Sequence, residues 1–169
     1  MSLISILASF IKRKTSKKYR FNLQFEQKKW DSMRNVADRG RYEFLVGYTR
    51  RNYPNARILD LGCGEGILLE QFEPRDYGAY LGVDFSEVAI ANAKKLENSK
   101  VKFMVGDLDS LSIEGSFDVI IYNETLYYLR NPKGAVQSVF KHLAPGGVII
   151  ISMVDKHGKE RAGLWGKMG

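Results

Sequence analysis

Short apolar runs alternate with amphipathic segments along most of the chain. Five runs of six or seven residues predict strands, namely ARILDL at 56–61, AYLGVD at 79–84, VKFMVG at 101–106, FDVIIYN at 117–123 and VIIISMV at 148–154. Strands that are almost continuously apolar, with amphipathic helices between them, are typical of a parallel sheet buried on both faces. The pattern therefore predicts the α/β class, with a doubly wound, mostly parallel sheet and helices on both faces.

Apolar side chains at helical spacing predict the remaining elements. Residues 24–53 predict helices with a break near Gly40, ended by Pro54. Further helices are predicted over 66–73, from an N-cap at Ser86 through Leu96, and along the face that carries Ala135, Val136, Val139, Phe140 and Leu143. APGG at 144–147 predicts a turn. The chain divides into an arm at 1–20, a helical cap at 21–54 and an α/β core at 55–169.

Composition supports one soluble-type globular domain. The chain has 169 residues, 44% of them hydrophobic and 27% charged, which excludes a disordered, fibrous or polytopic membrane protein. Its one cysteine, Cys63, excludes a disulfide framework and favours a reducing, cytoplasmic location. His142 and His157 are expected at the surface, and no metal site is expected, because no set of ligands surrounds either of them.

The basic charge is concentrated at one end of the chain. Residues 1–56 contain 13 Lys or Arg and 4 Asp or Glu, whereas residues 57–169 contain 13 and 15. The apolar run MSLISILASFI is followed by six basic residues at 12–20, the reverse of a secretory signal and too short to span a bilayer. Residues 1–20 could bind an anionic membrane surface or a partner, which would make the protein membrane-peripheral. The alternative is a frayed terminus or a helix docked on the domain.

The segment ILDLGCGEG at 58–66 carries the clearest chemical signal. Asp60 ends a strand, and glycines follow at 62, 64 and 66 before a predicted helix. Glycine lets a ligand approach the backbone, and a helix N-terminus attracts an anionic group. The spacing lacks the third glycine of a dinucleotide site, and Asp60 would repel a pyrophosphate. A zwitterionic ligand fits better, with its carboxylate at the helix and its ammonium at Asp60, as in a nucleoside that bears an amino acid.

Two further acids follow the next strands. Asp84 ends the second strand, where a carboxylate accepts hydrogen bonds from ribose hydroxyls, and Phe85 beside it could pack on adenine. Asp107 follows the third strand and could accept from the exocyclic amine of adenine. Each acid alone is also a common turn residue. Three acids at three successive strand ends favour one nucleoside site.

These segments resemble the class I S-adenosylmethionine-dependent methyltransferases of the small-molecule type. The likeness covers about 57–154, with ILDLGCGEG, YLGVDFSEVAIANAK, VGDLDSL, FDVIIYNETLYYL and LAPGGVIIISM in the family's order. It is similar to the nodulation-factor N-methyltransferases and to the methyltransferase type 11/12 group. The resemblance implies a Rossmann-like fold that binds S-adenosylmethionine and releases S-adenosylhomocysteine. It implies cofactor contacts by Asp60, Gly62, Cys63, Gly64, Asp84, Phe85, Asp107, Leu108, Tyr122 and Asn123.

The end of the fourth strand is expected to border the transferred methyl group. Glu124 is the first candidate for a general base, and Tyr122 is the second candidate catalytic residue. Aromatic rings attract a sulfonium cation, so the candidates are Tyr122, Tyr127, Tyr128 and Trp30. The alternative is that Glu124 caps the following helix and the tyrosines fill the core. Residues 19–30 are expected to form a lid over the cofactor.

The same strand end also bears on the acceptor. The sequence NETL at 123–126 departs from the Asn/Asp-Pro-Pro-aromatic pattern of nucleic-acid and protein-amide methyltransferases, which weakens a base or glutamine acceptor. Cys63 is not expected to act as a nucleophile, because no cation lies near it in the sequence. The expected function is therefore methyl transfer to a small-molecule acceptor, with nucleic acid disfavoured.

The resemblance stops short of the family's full sheet. The family has seven strands, and only fifteen residues follow Val154 here, so the last two strands are expected to be absent. The fifth strand would then be an apolar edge on which a second copy or a partner could pair. Two alternatives to the expected function stay open: a non-catalytic subunit that binds the cofactor or a partner, and an RNA-modifying methyltransferase guided by the basic segment.

Overall fold

The computed structural model describes residues 16–153. Its strands are β1 (Ala56–Leu61), β2 (Tyr77–Asp84), β3 (Val101–Val105), β4 (Phe117–Asn123) and β5 (Leu143–Ser152). Its α-helices are α1 (Lys17–Glu26), α2 (Val36–Asn52), α3 (Glu87–Ala93) and α4 (Pro132–Val139). Short 3₁₀ helices lie at Lys29–Arg34, Leu69–Gln71, Lys94–Leu96, Leu126–Tyr128 and Phe140–His142.

The five strands form one parallel sheet in the order β3-β2-β1-β4-β5. Successive side chains of β1 enter opposite cores: Ile58 packs with α2 and α3 residues, and Leu59 packs with Val139 of α4. The predicted Rossmann-like fold, with helices on both faces, is confirmed. The strand order reverses between β1 and β4, so the carboxyl ends of these strands flank the crevice where ligands bind in such sheets.

Two predicted helical features were wrong. Gly40 lies inside α2, and the break falls at Asn35, whose backbone is extended. A side chain at Gly40 would meet no neighbour, so that glycine marks no bend. Residues after β1 form turns and then the Leu69–Gln71 3₁₀ helix, without the predicted α-helix over 66–73. Gly66, the first residue of that segment, has a φ of +85°, which is incompatible with the start of an α-helix there.

The predicted turn at 144–147 lies within β5. The pairing with β4 shifts from Phe117 opposite Leu143 to Val119 opposite Val148, so the extra residues form a bulge. β5 is an edge of the described sheet, and the side chain of Ile151 is 41% exposed there.

Other predictions concern the arm and the histidines. His142 is buried, with its Nδ1 3.1 Å from the carbonyl oxygen of Gly115, which corrects its expected surface position. His157 and residues 1–15 of the arm lie outside the described residues. The expected boundary at residue 20 falls inside α1. Within residues 16–153, no helix is both long enough and apolar enough to cross a membrane.

Candidate functional site

A cavity of about 100 Å³, here called the strand-end cavity, lies at the carboxyl ends of the strands. Its floor is formed by the end of β1, by residues 62–66, here called the glycine loop, and by the ends of β2 and β4. Its roof is formed by α1 and the first 3₁₀ helix. It brings together nine of the ten predicted cofactor residues: Asp60, Gly62, Cys63, Gly64, Asp84, Phe85, Asp107, Leu108 and Asn123.

Asp60 is a buried carboxyl group in the cavity wall. Its residue is 2% exposed, and the hydroxyl of Tyr80 donates to its Oδ2 at 2.5 Å. Burial raises the pKa of Asp60 to about 7, although the hydrogen bond from Tyr80 opposes this rise. A cation that enters the cavity would favour the ionised form, so Asp60 suits the ammonium of a zwitterionic ligand.

Asp84 ties the end of β2 to the glycine loop. Its Oδ1 accepts from the backbone N–H of Ser86 at 2.8 Å, and its Oδ2 accepts from that of Gly64 at 3.1 Å. Burial raises the pKa of Asp84 to about 6, and these N–H groups act in the opposite direction. The carboxylate is thereby fixed in orientation at the cavity wall.

The glycine loop packs against the turn that follows β4. Gly62 has φ +83°, and a Cβ there would lie 2.3 Å from Oγ1 of Thr125. The absence of a side chain at position 62 therefore lets this turn pack onto the loop. The backbone N–H groups of Gly62 and Cys63 both donate to the carbonyl of Val83, so the expected helix N-terminus facing an anionic group is not present.

Cys63 lies in the same loop and is buried. Burial, and then the charges of Asp60 and Asp84, raise the pKa of its thiol well above the ordinary value. A thiol that holds its proton is a poor nucleophile.

An aromatic cluster, here called the aromatic roof, covers the strand-end cavity. The ring of Phe21 on α1 lies 5.0 Å, centroid to centroid, from both Phe85 and Tyr128 and 5.6 Å from Trp30, and Phe25 stacks on Trp30. These five residues are the roof. The predicted lid segment, residues 19–30, thus contributes three of its rings.

Lys17 of α1 lines the strand-end cavity, although its place in the sequence predicts that it belongs to the basic arm. Its Nζ donates to the carbonyl oxygen of Tyr128 and lies 5.3 Å from the ring centroid of Phe85. Burial lowers the pKa of Lys17, and the carboxylates of Asp109 and Asp107 oppose this. The run of basic residues alone does not indicate which of them faces inward. Lys17 precedes Phe21 by four residues, however, and this spacing puts both side chains on one face of a helix.

Glu124 follows β4 in a left-handed backbone conformation, with φ +56°. It is buried, the hydroxyl of Tyr127 donates to its Oε2 at 2.6 Å, and its Oε1 lies 3.3 Å from Nη1 of Arg41. The N-cap of the following 3₁₀ helix is Thr125, whose side chain makes no capping hydrogen bond. A non-glycine residue in the left-handed conformation is held there by its surroundings, which is common at functional sites. Arg41 on α2 was missed by the sequence analysis, because only the fold brings it to β4.

The structure does not bring Tyr122 to the cavity. It is 1% exposed, its hydroxyl donates to the carbonyl of Ala135 at 3.1 Å, and burial raises its pKa. Because side chains alternate along β4, Tyr122 packs in the core beside α4, which corrects its expected place near the methyl group. The next residue, Asn123, lines the cavity, and its buried Oδ1 has no hydrogen-bond partner among the described residues.

S-adenosylmethionine fits these side chains. Asp60 and Asn123 offer acceptor oxygens to an ammonium, and Asp84 offers oxygens to ribose hydroxyls beside the ring of Phe85. Within residues 16–153, no group of three or more His, Cys, Asp or Glu side chains is arranged to hold a metal ion.

Known proteins share this sequence pattern. The chain is 35% identical over 143 residues to a malonyl-[acyl-carrier protein] O-methyltransferase of Bacillus anthracis, which covers 82% of this chain and 52% of that protein. It is 33% identical over 105 residues to a trans-aconitate 2-methyltransferase of Deinococcus radiodurans, covering 62% of this chain and 40% of that protein. The chain thus spans about half the length of these curated relatives, or less.

Solved structures share the fold. The N-methyltransferase NodS from Bradyrhizobium japonicum, in complex with S-adenosyl-l-homocysteine, superimposes with a TM-score of 0.65 at 26% identity over 72% of this chain and 64% of that one. The SAM-bound amino pentose methyltransferase CalS10 from Micromonospora echinaspora gives 0.59 at 27% identity over 70% and 55%. The family profile of the methyltransferase domain matches residues 14–168. The chain belongs to this methyltransferase-domain family, as its motifs predict.

Proposed function

We propose that this chain binds S-adenosylmethionine in the strand-end cavity and transfers the methyl group to a small-molecule acceptor. The observation that carries the proposal is the convergence of Asp60, Asp84 and Asn123 at the ends of three adjacent parallel strands, on one cavity wall. The family match and the relatives bound to S-adenosylmethionine or S-adenosylhomocysteine support it.

The side chains divide the cofactor among them. Asp60 and Asn123 accept hydrogen bonds from the ammonium, and Asp84 accepts from the ribose hydroxyls. Phe85 and Leu108 flank the adenine ring, while Asp107 accepts from the exocyclic amine. When bound, S-adenosylmethionine supplies a methyl carbon made electrophilic by its sulfonium sulfur.

The protein's main contribution to the reaction is to align the acceptor with the methyl group. The nucleophile must approach the methyl carbon in line with the carbon–sulfur bond, and such orientation contributes about 7–11 kcal/mol in well-aligned reactions. The aromatic roof excludes water, and the rings of Trp30 and Tyr128 line the cavity where cation–π attraction to a sulfonium contributes about 0.5–2 kcal/mol. Glu124 stands at the same wall as the general base.

A transfer assay tests this function. The protein is incubated with S-adenosylmethionine labelled in the methyl group and with a panel of small amines, alcohols and carboxylic acids, and the labelled products are separated. Transfer to at least one acceptor is expected, and at a cofactor concentration that does not saturate the variant it should be slower in Asp84→Ala. Cofactor binding without transfer to any acceptor would favour the non-catalytic subunit instead. The far-UV circular dichroism of the variant shows whether its fold is intact.

We favour a small molecule over RNA as acceptor because two of the basic residues at 12–20 are engaged within the domain. Lys17 bonds to Tyr128, and Nζ of Lys18 lies 2.5 Å from Oε1 of Glu87. An RNA acceptor would instead give binding that falls steeply with salt.

Association with other surfaces is a separate proposal. The exposed Ile151 on the edge strand β5 supports pairing with a second copy of the chain. Sedimentation tests this pairing by comparing the association state of wild type with that of Ile151→Lys. Attachment of residues 1–20 to an anionic membrane would make the protein membrane-peripheral. Co-sedimentation with vesicles of anionic lipid tests this attachment.

A further inference from the structure

A second cavity, here called the polar cavity, adjoins the strand-end cavity. It has a volume of about 300 Å³ and lies between α1, the first 3₁₀ helix, α2 and the turn after β4. Four residues line both cavities: Trp30, Met33, Glu124 and Tyr128. Hydrogen-bonding side chains make up most of the rest of its wall: Gln24, Lys29, Ser32, Asp38, Arg41 and Tyr127.

We propose that the polar cavity is the acceptor site, that the acceptor's nucleophile is a proton-bearing amine or hydroxyl group, and that Arg41 positions Glu124 to take that proton. The inference rests on the proposed function, because it requires a methyl donor in the strand-end cavity. It goes further in naming the place and the chemical class of the acceptor.

Glu124 stands where the two cavities meet, and its carboxylate is held from two sides. Tyr127 donates to one oxygen, and the Arg41 guanidinium faces the other. Its side chain is 6% exposed and that of Arg41 is 12% exposed, so water screens their interaction weakly. An acceptor in the polar cavity that reaches toward the strand-end cavity must pass this carboxylate.

Arg41 is itself fixed in place. Its Nη2 donates to Oδ1 of Asp38 at 2.6 Å, one helical turn earlier, and its guanidinium carbon lies 5.4 Å from the ring centroid of Tyr42. These contacts hold the guanidinium in one orientation, with Nη1 directed at Glu124. Arg41 is therefore a positioning residue, which acts on the acceptor through Glu124.

The ion pairs of Arg41 with Asp38 and Glu124 also indicate which class of nucleophile the cavity accepts. A carboxylate acceptor would need the guanidinium of Arg41, which two carboxylates already engage, and it would lie beside Asp38 and Glu124. Lys29, the other cation of the wall, is exposed at the surface. An amine or a hydroxyl instead donates a hydrogen bond to Glu124 and displaces neither carboxylate. The geometry thus disfavours the acids named for the curated relatives.

The step balances with these groups. The lone pair of the acceptor nitrogen or oxygen forms a bond to the methyl carbon while the carbon–sulfur bond breaks and its electron pair returns to sulfur. The N–H or O–H proton passes to Glu124. The products are a methylated amine or ether, a neutral thioether and a protonated Glu124.

The first test compares nucleophiles and removes the base. Three acceptors that share one carbon skeleton, with a terminal amine, hydroxyl or carboxylate, are assayed with wild type and with Glu124→Gln. We expect transfer to the amine or hydroxyl and a kcat about 10²–10⁴-fold lower in Glu124→Gln. The relative rates with the amine and the hydroxyl compound show which of the two groups is the preferred nucleophile. Faster transfer to the carboxylate, or an unchanged kcat in Glu124→Gln, would overturn the proposal.

The second test concerns Arg41. Arg41→Gln should lower kcat more than it raises KM, because the Glu124 carboxylate is then no longer held by the guanidinium. Arg41→Lys, which keeps a cation at this position, should restore part of kcat. Arg39→Gln, at an exposed neighbouring position, is the matched control and should leave kcat and KM unchanged. An unchanged kcat in Arg41→Gln, or equal losses of kcat in Arg41→Gln and Arg41→Lys, would contradict the positioning role.

A binding measurement distinguishes failure of the proposed function from failure of the roles assigned to Glu124 and Arg41. The affinity for S-adenosylhomocysteine is measured calorimetrically in each variant, and Trp30 fluorescence follows acceptor binding to the complex. Wild type that binds no S-adenosylhomocysteine would refute the proposed function. Variants that bind it within about threefold of wild type but keep full turnover would refute only the role of Glu124 and Arg41.

Discussion

At the scale of single residues, Gly62 shows that the glycine loop is shaped by contacts within the protein as well as by room for a ligand. Gly62 follows β1 where a ligand was expected to need room, yet the nearest obstruction to a side chain is Thr125. The glycine thus serves the fit between the loop and the turn after β4. That fit places Glu124, the residue just before Thr125, beside both cavities.

A methyl group at position 62 tests this reading. Gly62→Ala should reduce the free energy of unfolding by at least about 1–2 kcal/mol, because alanine resists the positive φ angle. It should also weaken S-adenosylhomocysteine binding, because Thr125 must shift. Gly40→Ala, in an open helical position, is the control and should raise stability by about 0.5–1 kcal/mol. Equal stabilities in urea titrations of the two variants would contradict the account.

The raised pKa of Asp60 makes cofactor affinity depend on pH. Its folded pKa, about 7, lies above the ordinary value, so the free protein holds the proton at pH 6 and releases it above 7. A ligand ammonium prefers the ionised carboxyl. The affinity for S-adenosylhomocysteine should therefore rise with pH by up to about tenfold per unit below pH 7 and level off above it.

Asp60→Asn separates this effect from that of Asp84. The variant should lose the dependence between pH 6 and 7 and keep a weaker one near pH 6, where Asp84 titrates. Calorimetric titrations between pH 5 and 8 measure both curves. A wild-type affinity that does not change over this range would rule out Asp60 as the partner of the ammonium.

At the scale of elements, α1 covers the strand-end cavity, and we expect it to control access. The cavity of about 100 Å³ is smaller than the roughly 300–1,000 Å³ typical of sites for ligands of this size. Phe21 occupies the space between Phe85 and Tyr128, and α1 is tied down by Lys17 and by the hydroxyl of Ser86, which donates to Oδ1 of Asn22 at 2.6 Å. We therefore expect α1 to move outward when the cofactor enters.

Removal of the Phe21 ring should speed this movement. Phe21→Ala loses its aromatic pairs, each worth about 0.5–1.5 kcal/mol, so α1 should open more often. We expect faster association of S-adenosylhomocysteine in stopped-flow measurements and faster amide exchange along α1. Phe44→Ala, a ring that is 62% exposed on α2, serves as the control. An association rate equal to that of wild type would show that α1 does not gate the cavity.

The elements also show how far sequence reasoning reaches. Apolar runs fixed the bounds of β1 and β4, because a buried parallel strand needs apolar side chains on both faces. The same reasoning could not orient Tyr122, since alternation along β4 decides which side chain faces the site. It also missed Arg41, whose contact with Glu124 joins positions far apart in the chain. Strand ends are predictable, whereas contacts between the helical cap and the sheet require the fold.

At the scale of the whole molecule, a pair of charged groups joins α2 to the residue that precedes β2. Nε and Nη2 of Arg50 on α2 donate to the two oxygens of Asp76, at 2.8 and 2.7 Å, and the backbone N–H of Glu73 also donates to Asp76. The hydrogen bonds from Arg50 lower the pKa of Asp76 below its ordinary value. The carboxyl therefore stabilises the folded protein in its ionised form.

Loss of this charge should cost stability only where the carboxyl is ionised. Asp76→Asn should lower the free energy of unfolding at pH 7 by about 1–3 kcal/mol, as expected for hydrogen bonds to a charged group. Because the folded pKa is lowered, the contribution is complete above about pH 4 and is lost as the pH falls through the folded value. Urea titrations at pH 7 and pH 3 compare wild type with the variant, with the exposed Arg51→Gln as control, and the stability difference should be smaller at pH 3. A stability difference of the same size at both pH values would refute the electrostatic origin.

Calorimetric titration with S-adenosylhomocysteine shows whether the strand-end cavity holds this nucleoside. We expect saturable binding at one site, weakened by about 1–3 kcal/mol in Asp84→Ala through lost charged hydrogen bonds. NADH should not bind. Absence of binding by the folded wild-type chain, or equal affinity in Asp84→Ala, would contradict the assignment of the cavity.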